Sequence, residues 1–278
     1  MSSNFNYSIT FPCLNSLDYT KKLIGSMLEN EEDMSKVVAV NNGSTDSTEK
    51  YLKSIKHLNV ITNKKNYGFG VPLNQGAMML QTEWTIFMNN DVIVSKDWIE
   101  GLLSAAEKNN LKVISPAMIE ESYDYDINEH SNKAKFLFDG YVRNDDAHAV
   151  CIAIHESVLF DIGFFRPTPS LFGYEDKIFL NELRKNNIKT GITSSSWIHH
   201  YGSVTQKAMK EKIGILNKSD LSSNSHSKIL CENFLFRKYL KYSSKRKRKK
   251  SVNYEINHYG MSLIGRRLDS KFIWSNIY

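Results

Sequence analysis

Residues 84–98 read WTIFMNNDVIVSKDW: an apolar stretch breaks into Asn89-Asn90-Asp91 and resumes at once as a second apolar stretch. Three consecutive polar groups, one of them ionised, are foreign to a strand interior, because buried polar atoms need partners. They fit its C-terminal end, where open α/β sheets bring ligands to the chain. Two further segments could serve the same ligand. NNGSTD at residues 41–46 follows an apolar run and puts Asn41 and Asn42 beside a helix start. Amides and backbone N–H groups there suit a base, a ribose or an anion, and a well-capped turn has the same composition. NKKNYGFGVPLNQG at residues 63–76 offers Lys64 or Lys65 to a phosphate, while Gly68, Gly70 and Gly76 let backbone approach a ligand. It has neither the GxGxxG spacing of a dinucleotide site nor the GK[ST] of a P-loop. Glu175-Asp176 and His199-His200 supply the remaining carboxylates and imidazoles. Asp91 with one imidazole would suit Mg2+ or Mn2+ holding a diphosphate. Adjacent acids at a helix start also simply complement its dipole.

The elements that must position these groups alternate. Strands are expected at residues 6–11, 36–40, 58–62 and 84–88, with helices at 16–28, 48–55 and 72–81 between them. Such alternation implies an α/β fold with a single, mostly parallel sheet flanked by helices. Beyond it a helix is expected at 98–109, strands at 112–116 and 149–154, a helix at 177–186 and a strand at 189–198. Residues 120–146 show no clear period and read as a long polar loop. Residues 229–242 mix apolar, aromatic and basic types and read as a helix lying on the core or on a membrane.

Composition narrows the class. With 41% apolar and 24% charged residues in 278, the chain is of ordinary globular type. No apolar run is long enough to span a bilayer, and the first residues lack a basic, then apolar, leader pattern. Cys13, Cys151 and Cys231 are too far apart for a disulfide framework, which suits a reducing cytoplasm. The net charge of +6 is local: nine basic and no acidic residues lie at 237–250, and without them the formal charge is −3. A nucleic-acid footprint would spread over a folded face, so no nucleic-acid partner is expected. A compact basic segment suits anionic lipid head groups, or is merely a solvated charge run.

Taken together, the motifs resemble the family 2 glycosyltransferases of the GT-A fold, in particular their bacterial rhamnosyltransferase-like branch, over roughly residues 7–205. The resemblance rests on Pro12-Cys13-Leu14-Asn15, on VNNGSTD at 40–46 and on Asn66, Gly68, Asn74 and Gly76. It rests further on Asn89-Asn90-Asp91, on Glu175-Asp176 and on HYGSVT at 200–205. It implies a GT-A domain at 1–205, with a nucleotide-binding half at 1–95 and an acceptor half at 96–205, followed by a helical basic extension at 206–278. It further implies that Pro12, Asn15, Asn41, Asn42, Asn66, Gly68, Asn74, Asn89 and Asn90 line a nucleotide-sugar. Asp91 with His199 or His200 would then hold Mg2+ or Mn2+, Asp176 would be the general base, and Glu175 would stand beside it. Two positions depart from the family pattern: Asn41 and Asn89 stand where acids are usual. After Glu175-Asp176 the chain has Ile178 and Glu182 in place of a second aspartate and an arginine.

The activity so implied is inverting, metal-dependent transfer of a sugar from a nucleotide-diphospho-sugar to a glycan or lipid-linked glycan acceptor in bacterial surface polysaccharide synthesis. The protein would work at the inner face of the plasma membrane, held there through residues 237–250. A nucleotidyltransferase, or a binder of sugar nucleotides or nucleic acid without turnover, is the alternative.

Overall fold

The computed structural model describes residues 5–168, 174–202 and 234–274. Four strands, β1 (Tyr7–Cys13), β2 (Val37–Asn41), β3 (Asn59–Thr62) and β4 (Trp84–Met88), lie side by side in the order β3-β2-β1-β4, all parallel. Their connections are α1 (Leu17–Glu29), α2 (Thr48–Ser54) and α3 (Gly70–Leu80). The runs VVAVN and WTIFM are buried at every position, as a strand covered on both faces requires. Gly76 is obligatory in α3, since a Cβ there would run into Thr10 Oγ1 of β1 and push the helix off the sheet.

The second half of the sheet is mixed. β5 (Val92–Val94) leads into α4 (Trp98–Lys108), then β6 (Val113–Glu121), α5 (Ile127–Phe138), β7 (Val142–Asn144), β8 (Cys151–His155) and α6 (Glu156–Ile162). After it come α7 (Glu175–Lys185) and β9 (Thr190–His200). β8 is antiparallel to both β4 and β6, which makes β6 parallel to β4. β9 runs parallel to β6, with a bulge after Pro116 that skips three residues of β9, and pairs antiparallel with β5 and β7. The C-terminal ends of β1, β2, β3, β4, β6 and β9 therefore share one edge of the sheet.

Residues 120–146 are a correction to the expected loop. They contain the end of β6, all of α5 and all of β7. Helix α5 buries Ile127, His130, Ser131, Ala134 and Phe138, a helical spacing in which His and Ser occupy apolar positions. The Asp126 carboxylate caps it by accepting from the N–H groups of Asn128 and Glu129.

The C-terminal part is helical and also extends the sheet. Helix α8 (Phe234–Tyr259) includes the basic segment, and β10 (Ile264–Leu268) then pairs parallel with β6 and antiparallel with β11 (Lys271–Ile273). A buried ionic cluster fastens α8 to the sheet. Arg143 of β7 donates Nε to Glu255 Oε1 at 2.8 Å, Nη2 to Glu255 Oε2 at 2.5 Å and Nη1 to Asp146 at 3.2 Å. Glu255 also accepts from Ser262 Oγ at 2.7 Å and from the Leu263 N–H at 3.1 Å. Arg248, counted in the sequence with the solvated basic run, turns inward and pairs bidentately with Asp146. Burial works against the Asp146 charge, but Arg248 and Arg143 overrule it and hold the carboxyl below its usual range. Residues 229–233 of the expected terminal helix lie outside the described residues.

Candidate active site

The first wall of the site is a set of linked turns at the ends of β1, β2 and β3. Asn15, in a left-handed conformation at φ 55, donates its N–H to Ser44 Oγ at 2.8 Å, and its Oδ1 accepts the Thr45 N–H at 2.8 Å. Asn41 Oδ1 accepts from Ser44 N–H at 3.0 Å, closing the turn of the NNGSTD segment. Gly43 sits there at φ +84 with the Lys65 carbonyl carbon 2.6 Å from where a Cβ would be, so only glycine permits this approach. Asn42 is a hub rather than a free amide. Its Nδ2 donates to Asn66 Oδ1 and to the Gly68 carbonyl, and its Oδ1 accepts from Asn63 Nδ2 and from the Tyr67 N–H. Asn66 Oδ1 also accepts from the Gly68 N–H at 2.9 Å. Pro12 is half-buried at the end of β1 beside these turns.

The 63–69 loop delivers Gly70 to the start of α3, and Gly70 packs against the Glu175 and Phe165 side chains. The first turn of α7 thus adjoins the same edge as Asn42. Glu175 is buried and its Oε2 accepts the Tyr174 N–H at 2.8 Å, so it closes its own turn. Asp176 is half-buried, and burial lifts its carboxyl above the ordinary range. Asn74 is engaged elsewhere: its Nδ2 donates to the Phe165 carbonyl at 2.7 Å and its Oδ1 accepts the Phe165 N–H at 3.1 Å. It clamps the segment that leads toward α7.

The Asn89-Asn90-Asp91 turn links β4 to β5. The Asn89 N–H is held by the Val150 carbonyl at 2.9 Å while its side chain is half-buried. Asn90 is buried and donates Nδ2 to Thr20 Oγ1 at 3.0 Å, pinning the turn to α1. Asp91 is buried, and its carbonyl accepts the Tyr201 N–H at 3.0 Å. Because β5 pairs with β9 so that Val92 opposes His200, the Asp91 carboxylate meets the His200 ring, Oδ1 to Nε2, at 3.4 Å.

Successive residues of a strand face opposite ways, so His199 and His200 part company. His199 lies among aromatic rings, with Nδ1 3.1 Å from the Tyr125 hydroxyl and its ring centroid 4.8 Å from those of Tyr123 and Tyr201. Burial, helped by the neighbouring His200, drives it down to about 3, and it is neutral. His200 faces Asp91 on one side and Glu120 on the other, Nδ1 lying 3.2 Å from Glu120 Oε1. Burial alone would discharge it, but the two carboxylates overrule that and raise it to about 9. Glu120 escaped sequence reasoning because its segment read as loop. Only the β6–β9 register, Glu120 opposite His200, joins residues 80 apart in sequence.

These groups fit a divalent ion. A carboxylate oxygen and an imidazole nitrogen 3.4 Å apart are placed as neighbouring ligands of one cation. Among the described residues no third His, Cys, Asp or Glu completes a cluster, so a cation held here would take its other ligands from substrate or water, as Mg2+ commonly does. Ser203, Val204 and Thr205 of the late motif lie outside the described residues.

Comparison with known proteins identifies the family and the fold type. The family model described as glycosyl transferase family 2 matches residues 8–165. An uncharacterised glycosyltransferase of Haemophilus influenzae is 30% identical over 107 residues, covering 37% of this chain and 33% of that protein. The low-salt glycan biosynthesis hexosyltransferase Agl10 of Haloferax volcanii is 26% identical over 171 residues, covering 55% of each. The chain thus spans about half or less of the length of these relatives. Among solved structures, S. aureus TarS in complex with UDP-GlcNAc superposes with a TM-score of 0.51 at 18% identity, covering 70% of this chain and 58% of TarS. GalNAc-T7 with UDP, GalNAc and Mn2+ gives 0.54 at 13% identity, covering 71% and 44%. These two likenesses establish the GT-A type of α/β fold. The family match covers more than half of the sequence and takes in Asn41, Asn66 and Asp91, and the chain belongs to glycosyl transferase family 2.

Proposed function

We propose that this glycosyltransferase moves a hexose from a nucleotide-diphospho-sugar to a hydroxyl of a glycan or lipid-linked glycan, with inversion, in the building of a bacterial surface polysaccharide. The observation that carries the reading is the buried Asp91–His200 pair, 3.4 Å apart, at the sheet edge where the turns of Asn15, Asn41 and Asn66 also converge. Support also comes from the nucleotides and sugars named with TarS and GalNAc-T7, and from the hexosyltransferase activity named for Agl10. The Asn15, Asn41 and Asn66 turns would hold base and ribose, with Asn41 shaping its turn through the Ser44 N–H. Asp91 and His200 would hold Mg2+ or Mn2+, which when bound neutralises charge on the departing diphosphate. Asp176 would accept the proton of the acceptor hydroxyl as it attacks the anomeric carbon. One displacement by an activated hydroxyl, with no enzyme nucleophile, inverts that carbon. A panel of nucleotide-sugars tests the reading: release of nucleoside diphosphate from at least one is expected, and pyrophosphate release from nucleoside triphosphates instead, with the nucleotidyl group passed to an acceptor, would make it a nucleotidyltransferase.

No helix among the described residues is long and apolar enough to cross a membrane. Attachment would instead use α8, where Lys245, Arg246, Lys249 and Lys250 form an exposed face at helical spacing while Arg248 turns inward. Arg248 docks near Thr190, at the end of β9 opposite His200, roughly 23 Å away by the seven steps of β6 that pair with this stretch. The basic face of the helix would thus act as a tether away from Asp91 and His200. Replacing Lys245, Arg246, Lys249 and Lys250 by Gln, with Arg248 kept, should lower co-sedimentation with anionic vesicles at least about tenfold. Wild-type binding should also fall steeply with salt. Transfer to a soluble acceptor should not change. Undiminished co-sedimentation of the variant would place the attachment elsewhere.

A further inference from the structure

The row of side chains across the active edge reaches further than the metal-binding pair. In register, Arg266 of β10 opposes Glu120 of β6, Glu120 opposes His200 of β9, and His200 opposes Val92, the residue after Asp91. Cross-strand neighbours project to the same face. The row is Arg266, Glu120 and His200, and Asp91 joins it from the turn before Val92, its Oδ1 lying 3.4 Å from His200 Nε2; the four alternate in the charge each can carry. The row begins on a strand supplied by the C-terminal part of the chain.

The His200 ring is held at both nitrogens, by Glu120 Oε1 at 3.2 Å and by Asp91 Oδ1 at 3.4 Å. A neutral imidazole has one N–H and one lone pair, and which nitrogen keeps the proton depends on the partner of each. Ligands of metals commonly donate their distal N–H to a carboxylate, which fixes ring orientation and basicity. Glu120 is the half-buried member of the trio, its side chain 22% exposed against 4% for His200 and 5% for Asp91. It stands behind the ring as seen from Asp91.

We propose that Glu120 is a positioning residue: with a metal ion held between Nε2 and Asp91, it accepts the Nδ1–H of His200 and so fixes the ring with Nε2 toward that ion, and β10 braces it by setting Arg266 alongside. The C-terminal strand is then a working part of the active site. The proposal rests on the reading of Asp91 and His200 as metal ligands.

The test is Mn2+ alone, titrated into the metal-free full-length chain and followed by the electron paramagnetic resonance of free ion. Glu120→Ala should weaken binding ~10–100-fold. Glu120→Gln should stay within a few-fold of wild type, because its amide oxygen still accepts an N–H. His200→Ala should lose at least as much as Glu120→Ala. Wild-type affinity in Glu120→Ala, with loss in His200→Ala, overturns the positioning role and leaves the metal site standing. Wild-type affinity in His200→Ala, or no binding by the wild type, overturns both. Nitrogen-15 spectra of the wild-type histidines with Mg2+ need no variant to fold. Nδ1 should be protonated and Nε2 not, and the reverse tautomer overturns the proposal.

Discussion

Asp176→Asn is expected to slow transfer by ~10²–10⁴, the usual contribution of a general base, while leaving affinity for the donor nearly unchanged. The base acts only as the acceptor hydroxyl attacks, so its loss raises the transition state and not the ground-state complex. The choice of Asp176 over Glu175 follows from their surroundings. Glu175 is buried, packs on Gly70 and closes its own turn through the Tyr174 N–H. Asp176 is half-buried, and burial raises its carboxyl above the usual aspartate range. A base must be ionised to accept a proton, so kcat/KM should fall with acid at a pH above that of an ordinary aspartate. Steady-state rates and donor binding across a pH series check both points. Near-normal turnover in Asp176→Asn, with Glu175→Gln inactive but folded, would move the role to Glu175.

Arg143→Met is expected to cost ~3–5 kcal/mol of folding stability, as when one partner of a buried ion pair is removed. Glu255 would then keep a buried charge without its guanidinium partner, with neutral donors such as Ser262 and the Leu263 N–H left to it. The loss should appear as a lower urea midpoint at unchanged slope. Replacing Arg143 and Glu255 together by apolar residues should recover much of it, because the remaining Asp146–Arg248 pair is complete in itself. A double variant as unstable as the single one would show that the loss belongs to the pair itself and not to a stranded charge. The consequence reaches function, since α8 leads directly into β10, which borders Glu120.

Much of this architecture was legible in the sequence, for a physical reason. Parallel strands covered on both faces are continuous apolar runs, and 37–41 and 84–88 could be read as such within a residue or two. The polar turns that end them were legible because polar residues cannot continue a buried strand. Three features resisted. Helix α5 fills core positions with His130 and Ser131, so its period is hidden, although the Asp126 cap was a signal. The Glu120–His200 and Arg143–Glu255 contacts join residues 80 and 112 apart, which only register and packing decide. The amides of Asn42, Asn74 and Asn90 had the type expected of nucleotide ligands, yet each is directed into the scaffold. A side-chain amide serves either purpose equally well, and composition does not distinguish them. The two adjacent histidines were ambiguous for a similar reason, since strand alternation sends one to Asp91 and the other away, and register alone says which.

Thermal stabilisation by a panel of nucleotide-diphospho-sugars, with Mn2+ and again in chelator, bears directly on Asp91 and His200 as the diphosphate end of the site. At least one donor should raise the melting temperature in Mn2+, lose most of that effect in chelator, and leave Asp91→Ala unchanged in either condition. Equal stabilisation of the wild type with and without chelator, or full stabilisation of Asp91→Ala, would contradict the assignment.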